Sequence, residues 1–284
     1  MAFARKRHWW ADTLRPTPFV LQARPAHIRF SIIADDATAV LALRRHELDV
    51  LPQLSARAFQ RLQASPAAQK ELSFYTTTSY DVVTVGFNTQ RATLHDPLTR
   101  QALSRLFDPV RLLWATQKGQ GMRTVGLVHP SDSRYYNDSL PLPTFNPTQA
   151  QLLLRQAGWK QLPTGWVRAN AQHLPEHLAL TLRYRAGETM FETIALQFKS
   201  AAAALAIPVE LRPTEVSAMT TALREGNFDI HVRTLKGNPF AFNYGPILHS
   251  RTTHEGNFTK FGSPATDQLI EAISAASVPA EKRR

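Results

Sequence analysis

The chain has 284 residues, 43% of them hydrophobic, enough to bury a sizeable core in one or two domains. Its longest apolar runs, such as Ile194 to Leu205 with breaks at Gln197, Lys199 and Ser200, fall short of the roughly 18 apolar residues of a spanning helix, which argues against direct membrane insertion. A net charge of +11 raises nucleic acid as a partner, but beyond the first seven residues and Lys282 to Arg284 the cations are scattered, and the lack of cysteine excludes disulfides, zinc–thiolate sites and iron–sulfur clusters.

Arg5, Lys6 and Arg7 look like the charged end of a signal peptide, yet no apolar stretch or small-residue cleavage site follows. Ile28 to Ile33 alternates like a strand, Asp35 and Asp36 can cap what comes next, Thr38 to Arg45 reads as a short helix, and Leu48 to Val50 as a second strand. The order returns much later: Ile207 to Leu211 is strand-like, Thr214 can cap, Val216 to Glu225 is helical, and Phe228 to Ile230 restarts a strand. Ala42, Leu43, Arg44 and Asp49 match Ala222, Leu223, Arg224 and Asp229, so the spacing predicts two equivalent strand–helix–strand crossovers, one in each half of the chain. Gly226 suits the left-handed residue that ends a helix, whereas the first copy has His46 there, at some conformational cost.

Between these units, Thr76 to Asn88 is rich in β-branched and aromatic residues and predicts a long strand that carries the chain from one lobe to the next. Asp96-Pro97 and Asp108-Pro109 each open a helix, and Asn146-Pro147 opens another through Gln156, stopped by Gly158. Gly119 to Thr144 has no helical period and reads as an irregular surface excursion of a length that is often functional. Trp159 to Val167 predicts a hairpin turning at Pro163 to Gly165, His177 to Tyr184 a strand, and Glu188 to Ala206 a helix whose Phe191, Ile194, Ala195, Phe198 and Leu205 have core spacing. A last helix is expected over Pro264 to Ser277.

Five segments in this order resemble the family 5 extracellular solute-binding proteins, the oligopeptide, dipeptide and nickel-binding receptors of bacterial ABC importers. They are Leu43 to Val50; Gly86-Phe87-Asn88-Thr89 with the DPLTRQALSRLFD helix of Asp96 to Asp108; Asn146 to Trp159; Phe228-Asp229-Ile230; and Phe258 to Leu269. The resemblance implies an α/β, type II periplasmic-binding-protein-like fold, two lobes with mixed sheets flanked by helices. It implies residues 1–84 in the first lobe and 85–284 in the second, in a chain shorter than the family at both ends. The implied role is the solute-binding component of an importer, periplasmic or extracellular, that captures a small-molecule or peptide ligand and delivers it to the transmembrane subunits of an ABC permease. A similar domain serves as the ligand sensor of some cytoplasmic transcriptional regulators, which is the alternative reading.

Peptide-binding members carry an aspartate after the strand matching Phe228 to Val232, where it holds the peptide's amino group. Here Ile230 to His254 contains no acidic residue, and the loop offers Arg233, Lys236, Asn238, Asn243 and Tyr244. These would repel an ammonium and suit neutral or anionic groups, with Arg183 and Arg185 as further ligand-binding candidates.

No catalytic residue, metal ligand or cofactor is expected. The motifs GxSxG, GxxxxGK[ST], GxGxxG and HExxH are absent, and His173 and His177 lie beside a proline in a segment that reads as a loop. The sequence reads as a binder rather than an enzyme.

Overall fold

The computed structural model describes residues 1–33, 35–237, 243–278 and 280. The chain divides into two compact units, Met1–Phe74 and Tyr75–Arg284.

In the first unit β1 (Ala2–Ala4) pairs antiparallel with β2 (His27–Arg29), and three helices follow: α1 (Asp36–Arg44), α2 (Ala56–Gln63) and α3 (Pro66–Glu71). Each helix starts on a side-chain cap, Asp35, Ser55 and Ser65 accepting from the backbone N–H three residues on. Among the described residues the buried apolar side chains of this unit are four alanines and Leu62, so its core is thin.

The expected first crossover is therefore corrected. β2 has only an antiparallel neighbour, residues 30–33 and 48–50 form no strand, and Val50 is exposed. A parallel crossover needs a strand beside which to return, and no described strand of this unit offers one. The match between the two helices survives as a shared buried face, Ala42 and Ala222 both lying inside. His46 does adopt the left-handed conformation, φ 57°, that Gly226 adopts at φ 72°.

In the second unit β3 (Val82–Phe87) is followed by α4 (Ala92–His95), α5 (Pro97–Ser104), α6 (Pro109–Gln117) and α7 (Pro147–Gln156). Then come β4 (Lys160–Leu162), β5 (Gly165–Ala169), β6 (Pro175–His177), β7 (Leu180–Arg185), α8 (Thr189–Ala203), β8 (Val209–Thr214), α9 (Val216–Glu225), β9 (Ile230–Leu235), α10 (Gly245–Leu248) and α11 (Pro264–Ala275). The long strand expected over 76–88 shortens to β3, because only residues from Val82 onward meet a partner in β9. Asp96, Asp108, Asn146 and Ser263 cap their helices as proline-opened starts require, whereas α9 is capped at Glu215 without a side-chain bond, and Thr214 instead donates to the Arg212 carbonyl.

The main sheet has the order β3-β9-β7-β8, with β7 parallel to both β8 and β9 and β3 antiparallel to β9. Alternation assigns its faces. Leu180, Leu182, Tyr184, Ile230 and Val232 join Phe191, Ile194, Ala195, Phe198 and Ala202 of α8 in the larger core. The smaller cluster of Met219, Leu223 and Phe228, with Phe258 against it, gathers around α9. A second sheet, β4-β5-β6, adds Trp166 to the larger core, its indole N–H donating to the Leu205 carbonyl at 2.7 Å.

Phe198 is fully buried and stacked on Phe107 with ring centroids 4.4 Å apart. Phe198→Ala removes that ring and leaves a cavity, so it should cost about 3–5 kcal/mol, read as a lower urea midpoint with an unchanged denaturant slope.

Candidate functional site

From β7 the chain passes through α8 to β8 on one side, then through α9 to β9 on the other. The direction of winding reverses at β7. Such a switch point leaves a crevice where α/β sheets commonly hold ligands. Arg185 closes β7 here, and Leu235, Lys236 and Gly237 leave β9.

The structure places the sequence-derived candidates unevenly around this end. Lys236 is largely exposed, with its Nζ 2.7 Å from Asp81 Oδ2, and Gly237 donates its backbone N–H to Asp81 Oδ1 at 3.2 Å. The hydrogen bond from Lys236 holds the Asp81 carboxyl below its usual range. Arg185 pairs with Glu188 at 3.2 Å. Arg183 lies on the α9 face and is engaged there, its Nε donating to the Asn227 carbonyl at 2.6 Å and its Nη1 to Thr214 at 3.2 Å. Arg233 lays its guanidinium 4.8 Å from the Phe258 ring centroid, and no described carboxylate pairs with it. Its Nε is buried without a hydrogen-bond partner, and burial lowers its pKa.

Asn243 folds onto its own turn, its side-chain oxygen accepting from the Gly245 N–H at 3.2 Å. The Tyr244 phenol is pushed up by burial and by the Asp132 carboxylate. Asn238 lies outside the described residues.

Three residues at this end escaped the sequence reading. Tyr80 and Asp81 precede β3, and the irregular excursion brings the His129 ring to 4.6 Å from that of Tyr80. No local pattern marks them; they arrive through β3–β9 register and the path of the excursion, both long-range.

Three of the segments that carry the family resemblance, Gly86 to Thr89, Phe228 to Ile230 and Phe258 to Leu269, meet at the opposite end of the sheet. Asn88 Nδ2 donates to the carbonyls of Gly226 and Phe228 at 3.1 and 3.2 Å, and Thr89 Oγ1 to those of Thr259 and Lys260 at 3.1 and 2.8 Å. Asp229 accepts from the N–H and hydroxyl of Thr181, both at 2.7 Å, and Arg91 lies 3.4 Å from it. These side chains brace the end of β3 and the turn into β9. Their role is architectural.

The family model for bacterial extracellular solute-binding proteins, family 5 (Middle), matches residues 1–255. The chain belongs to this family. It is 27% identical over 254 residues to a probable di/tripeptide-binding protein 5 of Pseudomonas aeruginosa, covering 87% of this chain and 44% of that protein. It is 26% identical over 246 residues to the nickel-binding periplasmic protein of Escherichia coli, covering 84% and 43%. In fold it matches the oligopeptide-binding protein AppA of Bacillus subtilis, solved with a nonapeptide, at a TM-score of 0.75 and 20% identity over 91% of this chain and 51% of that one.

The chain thus spans about half the length of the relatives it matches. Its fold is that of the type II periplasmic binding proteins, α/β with mixed sheets flanked by helices. The family is one of solute-binding proteins, and the regulator alternative draws no support from these relatives. Among the described residues no three His, Asp or Glu side chains gather as a metal site, and no helix is long and apolar enough to cross a membrane.

Near the amino end of β9, His231 is buried against Gly86, where a Cβ would stand 2.2 Å from its ring, and edge-on to Phe228 with centroids 5.1 Å apart. Burial, then the neighbouring Arg233 charge, lowers its pKa from 6.5 to about 3. The unfolded chain therefore binds a proton between these values that the folded one refuses, so stability is full above pH 6.5 and falls as the pH drops toward 3. At pH 4.5 the loss from this one group is on the order of 3 kcal/mol. Urea denaturation should show His231→Asn losing less stability than wild type between pH 7 and pH 4.5. A second expectation concerns the brace: Asn88→Ala strips the side-chain donor from the Gly226 carbonyl, while the Phe228 carbonyl keeps Arg91 Nε at 3.1 Å, and should cost about 1–3 kcal/mol in the same assay.

Proposed function

We propose that the chain is part of the solute-binding component of an ABC-type importer, periplasmic or extracellular, which captures a small solute and passes it to the transmembrane subunits of a permease. Residues 1–84 contribute to one lobe and 85–284 form the other, and the solute is held at the carboxyl ends of β7 and β9. The observation that carries this reading is the family match over residues 1–255, joined to a sheet whose winding reverses where such a ligand would sit. The named relatives bind di- and tripeptides, oligopeptides or nickel. The solute taken here is peptide-like, or neutral or anionic, and its contacts come from Lys236, Asn238, Asn243, Tyr244 and Arg233, with Arg185 at the rim.

The protein acts by binding and release rather than catalysis. A solute that binds one conformation of the protein more tightly than another shifts the population toward it by that difference in affinity. Arg183, already bonded to Asn227 and Thr214, contributes by fixing the turn into β9.

Native mass spectrometry of the full-length protein purified gently from its host should show a retained small molecule that partial denaturation releases. A mass equal to the bare polypeptide in every preparation, with no gain in thermal stability from peptides or small anions, would count against the reading.

A further inference from the structure

We infer that Asp81 sets the charge selectivity of the solute site by neutralising Lys236, so that the site favours neutral or zwitterionic solutes over simple anions. This rests on the reading of the sheet end as the solute site. It narrows the class of solute that reading allows.

The position follows from the backbone. β3 runs antiparallel to β9 with Val82 opposite Leu235, which brings Asp81 level with Lys236. One carboxylate then takes two donors, the ammonium at 2.7 Å and the Gly237 N–H at 3.2 Å. An ion pair this exposed is weak when held by charge alone. Here the second bond ties the carboxylate to the backbone where the chain leaves β9.

The packing around the pair restricts it further. Gly237 approaches Tyr80 so closely that a Cβ on it would stand 1.9 Å from the Tyr80 carbonyl oxygen. On Tyr80 lies the ring of His129 from the excursion. Tyr80 and Asp81 therefore form a joint between the entry to β3, the exit from β9 and the excursion, which bounds the site with Tyr244 and Asp132.

The electrostatic consequence concerns Lys236. Alone, an exposed ammonium on a flexible stem would attract any anion that entered the crevice. With Asp81 in contact it presents a dipole of nearly zero net charge, Arg185 is offset in the same way by Glu188, and the guanidinium of Arg233 is turned onto the Phe258 ring and the Gly256 carbonyl. An anion gains little from either pair. A zwitterion can align its two charges with them.

The test compares two probes of similar size by calorimetric titration of the full-length protein: dialanine, a zwitterion at pH 7, and N-acetyl-dialanine, an anion. Wild type is expected to prefer dialanine. Asp81→Asn keeps an acceptor for Gly237 but loses the charge, and should shift the affinity ratio about three- to fivefold toward the acetylated probe. Adding Lys236→Met to Asp81→Asn should return the ratio toward its wild-type value. A ratio unmoved by Asp81→Asn, or affinities for both probes that change together, would show that Asp81 only supports the fold, and failure of all three proteins to bind either probe would equally overturn the inference. A solute retained by the wild-type protein in native mass spectrometry would leave the proposed function standing in each of those cases.

Discussion

The second unit depends on one constraint: β7 is hydrogen-bonded in parallel on both of its edges. A parallel partner can be reached only through a crossover, so α8 must lead out to β8 and α9 must lead back past β7 to β9. One face carries the apolar side chains packed under α8, and the other carries polar side chains such as Arg183, which is engaged by Asn227 and Thr214 at the two ends of the α9 crossover. The carboxyl ends of β7 and β9, where the solute is proposed to sit, are set side by side by the same topology.

Elements whose signal is local were legible in the sequence. Proline-opened helices with Asp or Asn caps, the helix of Val216 to Glu225, and the buried face of α8 all follow from side chains within one or two turns. What failed depended on distant partners. Residues 48–50 have strand-like composition but no neighbour, and Thr76 to Asp81 has strand propensity but meets β9 only from Val82. The apparent duplication illustrates the limit, because an Ala-Leu-Arg match reflects a shared helix face and says nothing of how the flanking strands pair.

The candidate site was legible as a list of cations and amides, and misleading as a charge distribution. The segment Ile230 to His254 has no acidic residue of its own, yet Lys236 meets Asp81 and Tyr244 feels Asp132. Both acids come from far earlier in the chain, so a reading confined to one loop overestimates its positive potential. The motif residues have the opposite bias. Asn88, Thr89 and Asp229 mark the family clearly because they hold backbone carbonyls and turns in place, a task independent of what is bound at the other end of the sheet.

The contact between Gly86 and His231 has a wider meaning for how this sheet can vary. The imidazole occupies the volume that any side chain at residue 86 would need, so the two residues share a single space. A larger residue on β3 becomes admissible only if β9 gives up its ring, and a chain that makes one change first must pass through either a clash or a void. Substitutions at the two positions should accordingly be inherited as a couple.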